Sequence, residues 1–334
     1  MSTGPGSTEK PKKPRTKSPR GTKRALPRVL CIVGPTSSGK TLLGVRLAKA
    51  FNGEIINADA RQVYQEFDIG TGKPIGGKRE CKRGRNYFLY QDVPHYLMDF
   101  LPPDQLFTVA EWRKVAITAI RYIQRRKYLP IVVGGTGLYI QSLVDNYQIP
   151  EVPPQPAFRE AMSTEPLEEL ARRLIHLDPE AEKVVDLKNP RRVLRALEVI
   201  TFTGKPYTSL RKKAKPLVEP LLIAIKRSKE ELRERIDQAV ELYIEAGWLD
   251  EIRRVKKSGT AWDIPAMTSI GYRELGAYIR GETMLEEAIQ KTKDATWQYA
   301  KRQLTWFNRD KRIHWVEDEN AAEELVRKWL LTSN

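Results

Sequence analysis

The stretch Gly34-Pro35-Thr36-Ser37-Ser38-Gly39-Lys40-Thr41 sets two glycines with four residues between them, the second directly before a lysine and a threonine. That chemistry is phosphate binding. Successive backbone N–H groups at a helix start surround the anion, the Lys40 ammonium adds charge, and the Thr41 hydroxyl is a ligand for Mg²⁺. The spacing is that of a P-loop, which identifies a phosphate but not a reaction. Two further groups stand where short apolar runs end: Asp59 after "GEIINA" and Thr136 in "GGTGLY". A carboxylate beside bound phosphate suits a general base or a Mg²⁺ anchor, and it equally suits the N-cap of a following helix. Also informative is Gly134-Gly135 after "LPIVV", where a nucleotide-hydrolysing P-loop protein carries an acidic residue. With no arginine-rich lid either, the loop suits a diphosphate that departs as a leaving group.

Basic and aromatic residues form a second set. "NPRRVLRALE" puts Arg191, Arg192 and Arg195 within about one helical turn, with Arg191 and Arg195 on one face. "KRQLTWF" sets Lys301, Arg302 and Gln303 beside Trp306 and Phe307. Cations beside rings suit phosphate contacts with base stacking, and also suit a solvated helix face over core aromatics. The formal charge of +16 favours RNA.

Elements of alternating type must position these groups. "RVLCIV" reads as a buried strand leading into the P-loop, and Leu43, Val45, Leu47 and Ala50 recur at helical spacing after it. "HYLMDF" is a strand candidate, "TVAEWRKVAITAIRYIQRR" a helix, and "LPIVVGGTGLYIQSLVD" a strand, turn and helix. The segment 76–86 is an exposed loop or hairpin. Prolines in "IPEVPPQPAFRE" mark a boundary, beyond which the pattern is helical until the strand "PLLIAIKRS". The helices "KEELRERIDQAVELYIEAGW", "AMTSIGYRELGAYIRG" and "LEEAIQKTKDATWQYAKRQLTWFNRD" follow. The expected fold is α/β: a P-loop parallel sheet core, residues 28–150 and 217–334, interrupted by a helical insertion over 151–216 and closed by C-terminal helices.

Residues 1–27 are rich in Pro, Gly, Ser and Lys with almost nothing to bury, so a disordered basic arm is expected there. The first 28 residues carry nine cations and one acid, which leaves about half the net charge on the remainder. No apolar run approaches bilayer length, so a soluble, cytoplasmic protein is expected, with no membrane partner. Cys31, Cys81 and three scattered histidines give neither a metal spacing nor a disulfide framework.

Taken in order, "GPTSSGKT", "NADARQVYQEFDIGTGKP", "VPHYLMDF", "VVGGTGLY", "NPRRVLRALEV", "AMTSIGYREL" and "YAKRQLTWFNRD" resemble the tRNA dimethylallyltransferases, from Arg28 to about Val316. The resemblance implies that dimethylallyl diphosphate lies on Gly34 to Thr41, with Mg²⁺ at Thr41 and Arg235 as a further diphosphate contact. It implies that N6 of adenine 37, in the tRNA anticodon stem-loop, attacks the allylic carbon, with Asp59 as general base and Thr136 positioning the reacting groups. The implied tRNA contacts are Asp59, Ala60, Arg61, Gln62, Arg159, Arg191, Arg192, Arg195, Thr268, Gly271, Tyr272, Arg273, Lys301, Arg302, Gln303 and Trp306. A monomer is expected. Enzymes that prenylate free adenine nucleotides share the P-loop and the Asp59 stretch but do not need the basic C-terminal helix. Two further rivals are a P-loop small-molecule kinase, which predicts ATP turnover, and a noncatalytic or nucleotide-gated RNA-binding protein, in which Asp59→Ala leaves function intact. Ala60 and Asn308 depart from a common serine and a frequent arginine, and the 76–91 insertion lies outside the shared pattern.

Overall fold

In the computed structural model, residues 26–82, 84–147, 150, 152–210 and 214–332 are described; all but the last two residues of the basic arm lie outside them. The chain begins with β1 (Arg28–Val33), α1 (Lys40–Ala50) and β2 (Gly53–Asn57), then forms β3 (Lys78–Lys82), β4 (Arg85–Tyr90) and β5 (Val93–Tyr96). Next come α2 (Val109–Arg125), β6 (Leu129–Gly134) and α3 (Gly137–Val144). Four helices follow without a strand: α4 (Pro156–Met162), α5 (Leu167–Leu177), α6 (Pro190–Thr203) and α7 (Tyr207–Leu210). The chain returns through β7 (Glu219–Ile225), α8 (Lys229–Glu245), α9 (Trp248–Lys257), α10 (Tyr272–Ile279) and α11 (Leu285–Phe307), and ends with β8 (Ile313–Val316) and α12 (Glu319–Leu331).

One eight-stranded sheet has the order β3-β4-β5-β2-β6-β1-β7-β8. β1 pairs in parallel with β6 and β7, β2 pairs in parallel with β5 and β6, and β3 and β4 add an antiparallel hairpin at one edge. Both faces of the central strands are covered, as their unbroken apolar runs require. Trp112, Ile120 and Ile123 of α2 and Leu143 of α3 cover one face; Leu43 and Leu47 of α1 with Val326 of α12 cover the other. Helix starts follow local chemistry. Thr108 and Glu111 form a capping box on α2, Ser228 caps α8, and Asn189 caps α6 with Pro190 at its first position.

The helices α4 to α7 surround their own apolar cluster, which includes Leu170, Leu174, Val193, Leu197 and Ile200. A further cluster joins Phe67 and Tyr64 to Trp248, Tyr272 and Leu275, roofing the carboxyl edge of the sheet with α9 and α10. Three readings change in detail, and for 76–86 the hairpin alternative holds. β5 ends at Tyr96, before "LMDF", because Leu97 and Asp99 have positive φ and turn the chain out. "AMTSIGYRELGAYIRG" is split by Gly271 at φ 87° into a short turn of 3₁₀ helix and α10. Finally, α9, unforeseen in the sequence, starts directly after Gly247, which holds φ 95°.

Candidate active site

The P-loop connects β1 to α1, and its shape needs its glycines. Gly34 and Gly39 hold φ of 141° and 92°, and Ser37 joins them at 60°. Lys40 Nζ donates to the Pro35 carbonyl at 3.1 Å, and Arg235 Nε, reaching over from α8, donates to the Ser37 carbonyl at 2.8 Å. Burial pulls the Lys40 ammonium below the usual lysine value, and the Asp59 carboxylate pushes it back up. Lys40, Thr41, Asp59 and Arg235 line one cavity of about 530 Å³.

Asp59 follows β2 and caps no helix. An Asx-turn stands where the N-cap alternative would have put a helix start: Asp59 Oδ1 accepts from Arg61 N–H at 2.9 Å, and Asp59 N–H donates to Asn57 Oδ1 at 3.1 Å. Asn57 Nδ2 also donates to the Asp59 and Leu97 carbonyls at 3.1 and 3.0 Å, fixing the carboxylate at the strand end. Asp59 Oδ2 has no hydrogen bond among the described residues.

Thr136 lies at the end of β6, the neighbour of β2. Its N–H donates to the Ala58 carbonyl at 3.1 Å, and its Oγ1 accepts from Ala60 N–H at 3.0 Å. Asp59 is therefore clasped between two contacts to Thr136. The close approach also explains the missing acidic residue on β6: a Cβ at Gly134 would overlap the Ala58 backbone. A second cavity of about 770 Å³ shares Thr36, Ser37, Asp59, Thr71, Gly72, Ala239 and Tyr243 with the first. Its lining adds Phe107, Ile236, Val240 and Trp248, together with Thr136, Thr268, Tyr299 and Arg302. The joined cavities thus combine a phosphate loop, a carboxylate, an apolar and aromatic lining and further polar groups.

Several expected contact residues fill other places. Tyr272 is fully buried, its hydroxyl donating to Glu251 Oε1 at 2.5 Å, so it belongs to the roof and offers RNA no surface. Gly271 gives Trp248 room, since a Cβ there would overlap the indole. Gln62 Nε2 donates to the Gly72 carbonyl at 2.9 Å, and Arg61 donates to the Pro265 carbonyl at 3.0 Å. Both side chains hold the cavity wall. Gln303 is buried and bonded to the P-loop. Arg159 pairs bidentately with the buried Glu198, and Arg195 donates to the same carboxylate at 2.5 Å. Burial alone would raise Glu198, but hydrogen bonds from Arg159 and Arg195 hold it below the usual carboxylate range. Arg191, Arg192, Thr268, Arg273 and Arg302 are exposed, as is Trp306. Lys301 is half-buried beside Trp297.

Asn57, Trp248 and Glu251 are site-building residues that sequence reading missed. Glu251 was the hardest to foresee, because its partners are the backbone N–H groups of Asp68, Ile69 and Gly70, 181 to 183 residues away.

A largely parallel sheet with a P-loop after β1, a clasped carboxylate after β2, one strand removed, and joined cavities lined by residues of a basic helix defines a P-loop group-transfer enzyme. Two family models match: "IPP transferase" over residues 62–310 and "Isopentenyl transferase" over residues 27–94. A tRNA dimethylallyltransferase of Roseiflexus sp. is 39% identical, with 90% of this chain and 98% of the relative aligned. Another from Thermoanaerobacter sp. is 42% identical, with 90% and 95% aligned. Among solved structures, a tRNA isopentenylpyrophosphate transferase from Staphylococcus epidermidis superposes with a TM-score of 0.63 at 34% identity, over 91% of this chain and 98% of its own. A eukaryotic dimethylallyltransferase acting on tRNA gives 0.68 at 27% identity, over 84% and 69%. The chain belongs to the tRNA dimethylallyltransferase family.

Proposed function

We propose that this chain transfers a dimethylallyl group from dimethylallyl diphosphate to N6 of adenine 37 in the tRNA anticodon loop, acting as a cytoplasmic monomer and releasing diphosphate. The observation that carries the reading is the pair of joined cavities that sets Lys40 and Arg235 beside Asp59 and Thr136, with Thr268 and Arg302 in the same lining. Diphosphate is held by the P-loop N–H groups, Lys40 and Arg235, which stabilise the negative charge that grows as the allylic C–O bond breaks. The apolar wall of Phe107, Ile236, Val240 and Trp248 shields the allylic carbon from water. Adenine enters the second cavity, out of its stack, which costs a few kcal/mol and is easiest in a loop. Its N6 forms the new N–C bond, and Asp59 Oδ2 takes the proton that N6 loses. Thr136 holds the Asp59 segment through the Ala60 N–H.

Mg²⁺ fits the donors present. The Thr41 hydroxyl would be a hard oxygen ligand on the donor cavity, and no group of three His, Cys, Asp or Glu suited to a metal occurs among the described residues. Such a site suits an ion that takes its other ligands from phosphate and water, adding charge neutralisation at the departing diphosphate. RNA contact is assigned to the exposed Arg191, Arg192, Thr268, Arg273, Arg302 and Trp306, with Lys301.

The test is transfer of labelled dimethylallyl diphosphate, with Mg²⁺, to an anticodon stem-loop carrying adenine 37. Guanine 37 and AMP serve as alternative acceptors. Label is expected only in the adenine loop, with Asp59→Asn slower by about 10²–10⁴-fold. Label on AMP moves the enzyme to free nucleotides; ATP turnover without transfer overturns the reading.

A further inference from the structure

Gln303 points inward from α11, 5% exposed, on the stripe it shares with the buried Ala300 and Phe307. Its Oε1 accepts from Thr36 N–H at 2.9 Å, and its Nε2 donates to the Gly135 carbonyl at 2.9 Å. One partner belongs to the phosphate loop after β1, the other to the turn after β6 that carries Thr136. The contact needs an acceptor and a donor at full glutamine reach. Glutamate supplies no donor, lysine no acceptor, and asparagine is one methylene short. A Cβ at Gly135 would overlap the Gln303 amide, so the glycine keeps this place open.

We propose that Gln303 is a positioning residue that sets the phosphate loop against the Thr136 turn, and that it makes no contact with tRNA. The inference rests on the prenyl-transfer reading above. With its amide inside the protein, RNA cannot reach Gln303 unless α11 moves. Its two partners, by contrast, belong to the segments that hold the donor and orient the acceptor. Loss of the bridge therefore alters reacting geometry more than the affinity of either substrate.

The measurement is steady-state transfer over a range of donor and stem-loop concentrations, for the wild type, Gln303→Met and Gly135→Ala. Met preserves length and removes both hydrogen bonds; Ala disturbs the same contact from the opposite side. Each variant is expected to lower kcat by about 10–100-fold, with both KM values within about threefold of wild type. Because the two changes break one contact, the double variant is expected to fall no further than the worse single variant. A raised stem-loop KM with kcat retained would make Gln303 an RNA contact and overturn the inference. So would wild-type kinetics in either folded variant, checked by its thermal transition. Absence of transfer by the wild type would instead overturn the prenyl-transfer reading, which separates the two failures.

Discussion

At the scale of single residues, the site depends on groups held where water is scarce, and burial leaves a measurable mark elsewhere in the same sheet. His95, in β5, is 1% exposed, with Nδ1 2.9 Å from the Val93 carbonyl. Burial pushes it from 6.5 down to about 4, although the Val93 and Phe88 carbonyls pull it back up. Between those two values the unfolded chain binds a proton that the native state refuses. Stability from this group is therefore complete above about pH 6.5 and is lost as pH falls toward 4. The slope approaches 1.4 kcal/mol per pH unit in that window, at about 25 °C. Urea unfolding at pH 7, 6 and 5 should show the decline, and His95→Gln should flatten it. Equal slopes in both proteins would assign the acid sensitivity to other groups. Asp59, Thr136 and Lys40 were legible because each ends a strand or sits in a fixed spacing. Gln303 and Tyr272 are buried where an RNA-facing surface was expected, because a motif does not say which way a helix faces. The helical spacing of Gln303 with Ala300 and Phe307 carried that information.

Among elements, the strands and long helices were plain in the apolar periodicity, whereas the irregular segment 58–77 was not. Its conformation is set by distant partners: Trp248 lies against Gly70, and Glu251 receives the N–H groups of Asp68, Ile69 and Gly70 at 2.9, 2.9 and 3.4 Å. A carboxylate gathering consecutive N–H groups is an anchor, and α9 is the element that carries it. The same segment supplies Thr71, Gly72 and Lys73 to the donor cavity. Glu251→Ala leaves those N–H groups and the Tyr272 hydroxyl without their acceptor, each at a cost of about 1–3 kcal/mol. Hydrogen exchange at residues 68–70 should accelerate in this variant, and KM for dimethylallyl diphosphate should rise. Unchanged exchange there would show that the segment holds itself. Periodicity could not have revealed this arrangement, because it reports which residues are apolar and is silent on which buried carboxylate caps a loop from another element.

For the whole molecule, the net charge of +16 acts through its distribution. Arg159 and Arg195 are taken up by Glu198 inside the insertion, while Arg191 and Arg192 on the same α6 face outward. Arg273 and Arg302 are also exposed, and Arg302 lines the second cavity with Thr268. Two groups of cations on separate parts of the fold suit an RNA that spans them, with the base delivered between. Counterion release then makes affinity fall linearly with salt on a double-logarithmic plot, by about 10³–10⁵ between 50 and 200 mM if six to ten phosphates are engaged. Removing both outward arginines as Arg191→Ala/Arg192→Ala should weaken stem-loop binding and reduce the slope by about 1.4–1.8, since each lost phosphate contact removes about 0.7–0.9 of a unit. The measurement is filter binding of the anticodon stem-loop at four or five salt concentrations for both proteins. A flat wild-type response would remove the phosphate footprint altogether. A steep response with the same slope in the variant would move it away from α6, leaving the insertion to act on the tRNA by shape alone.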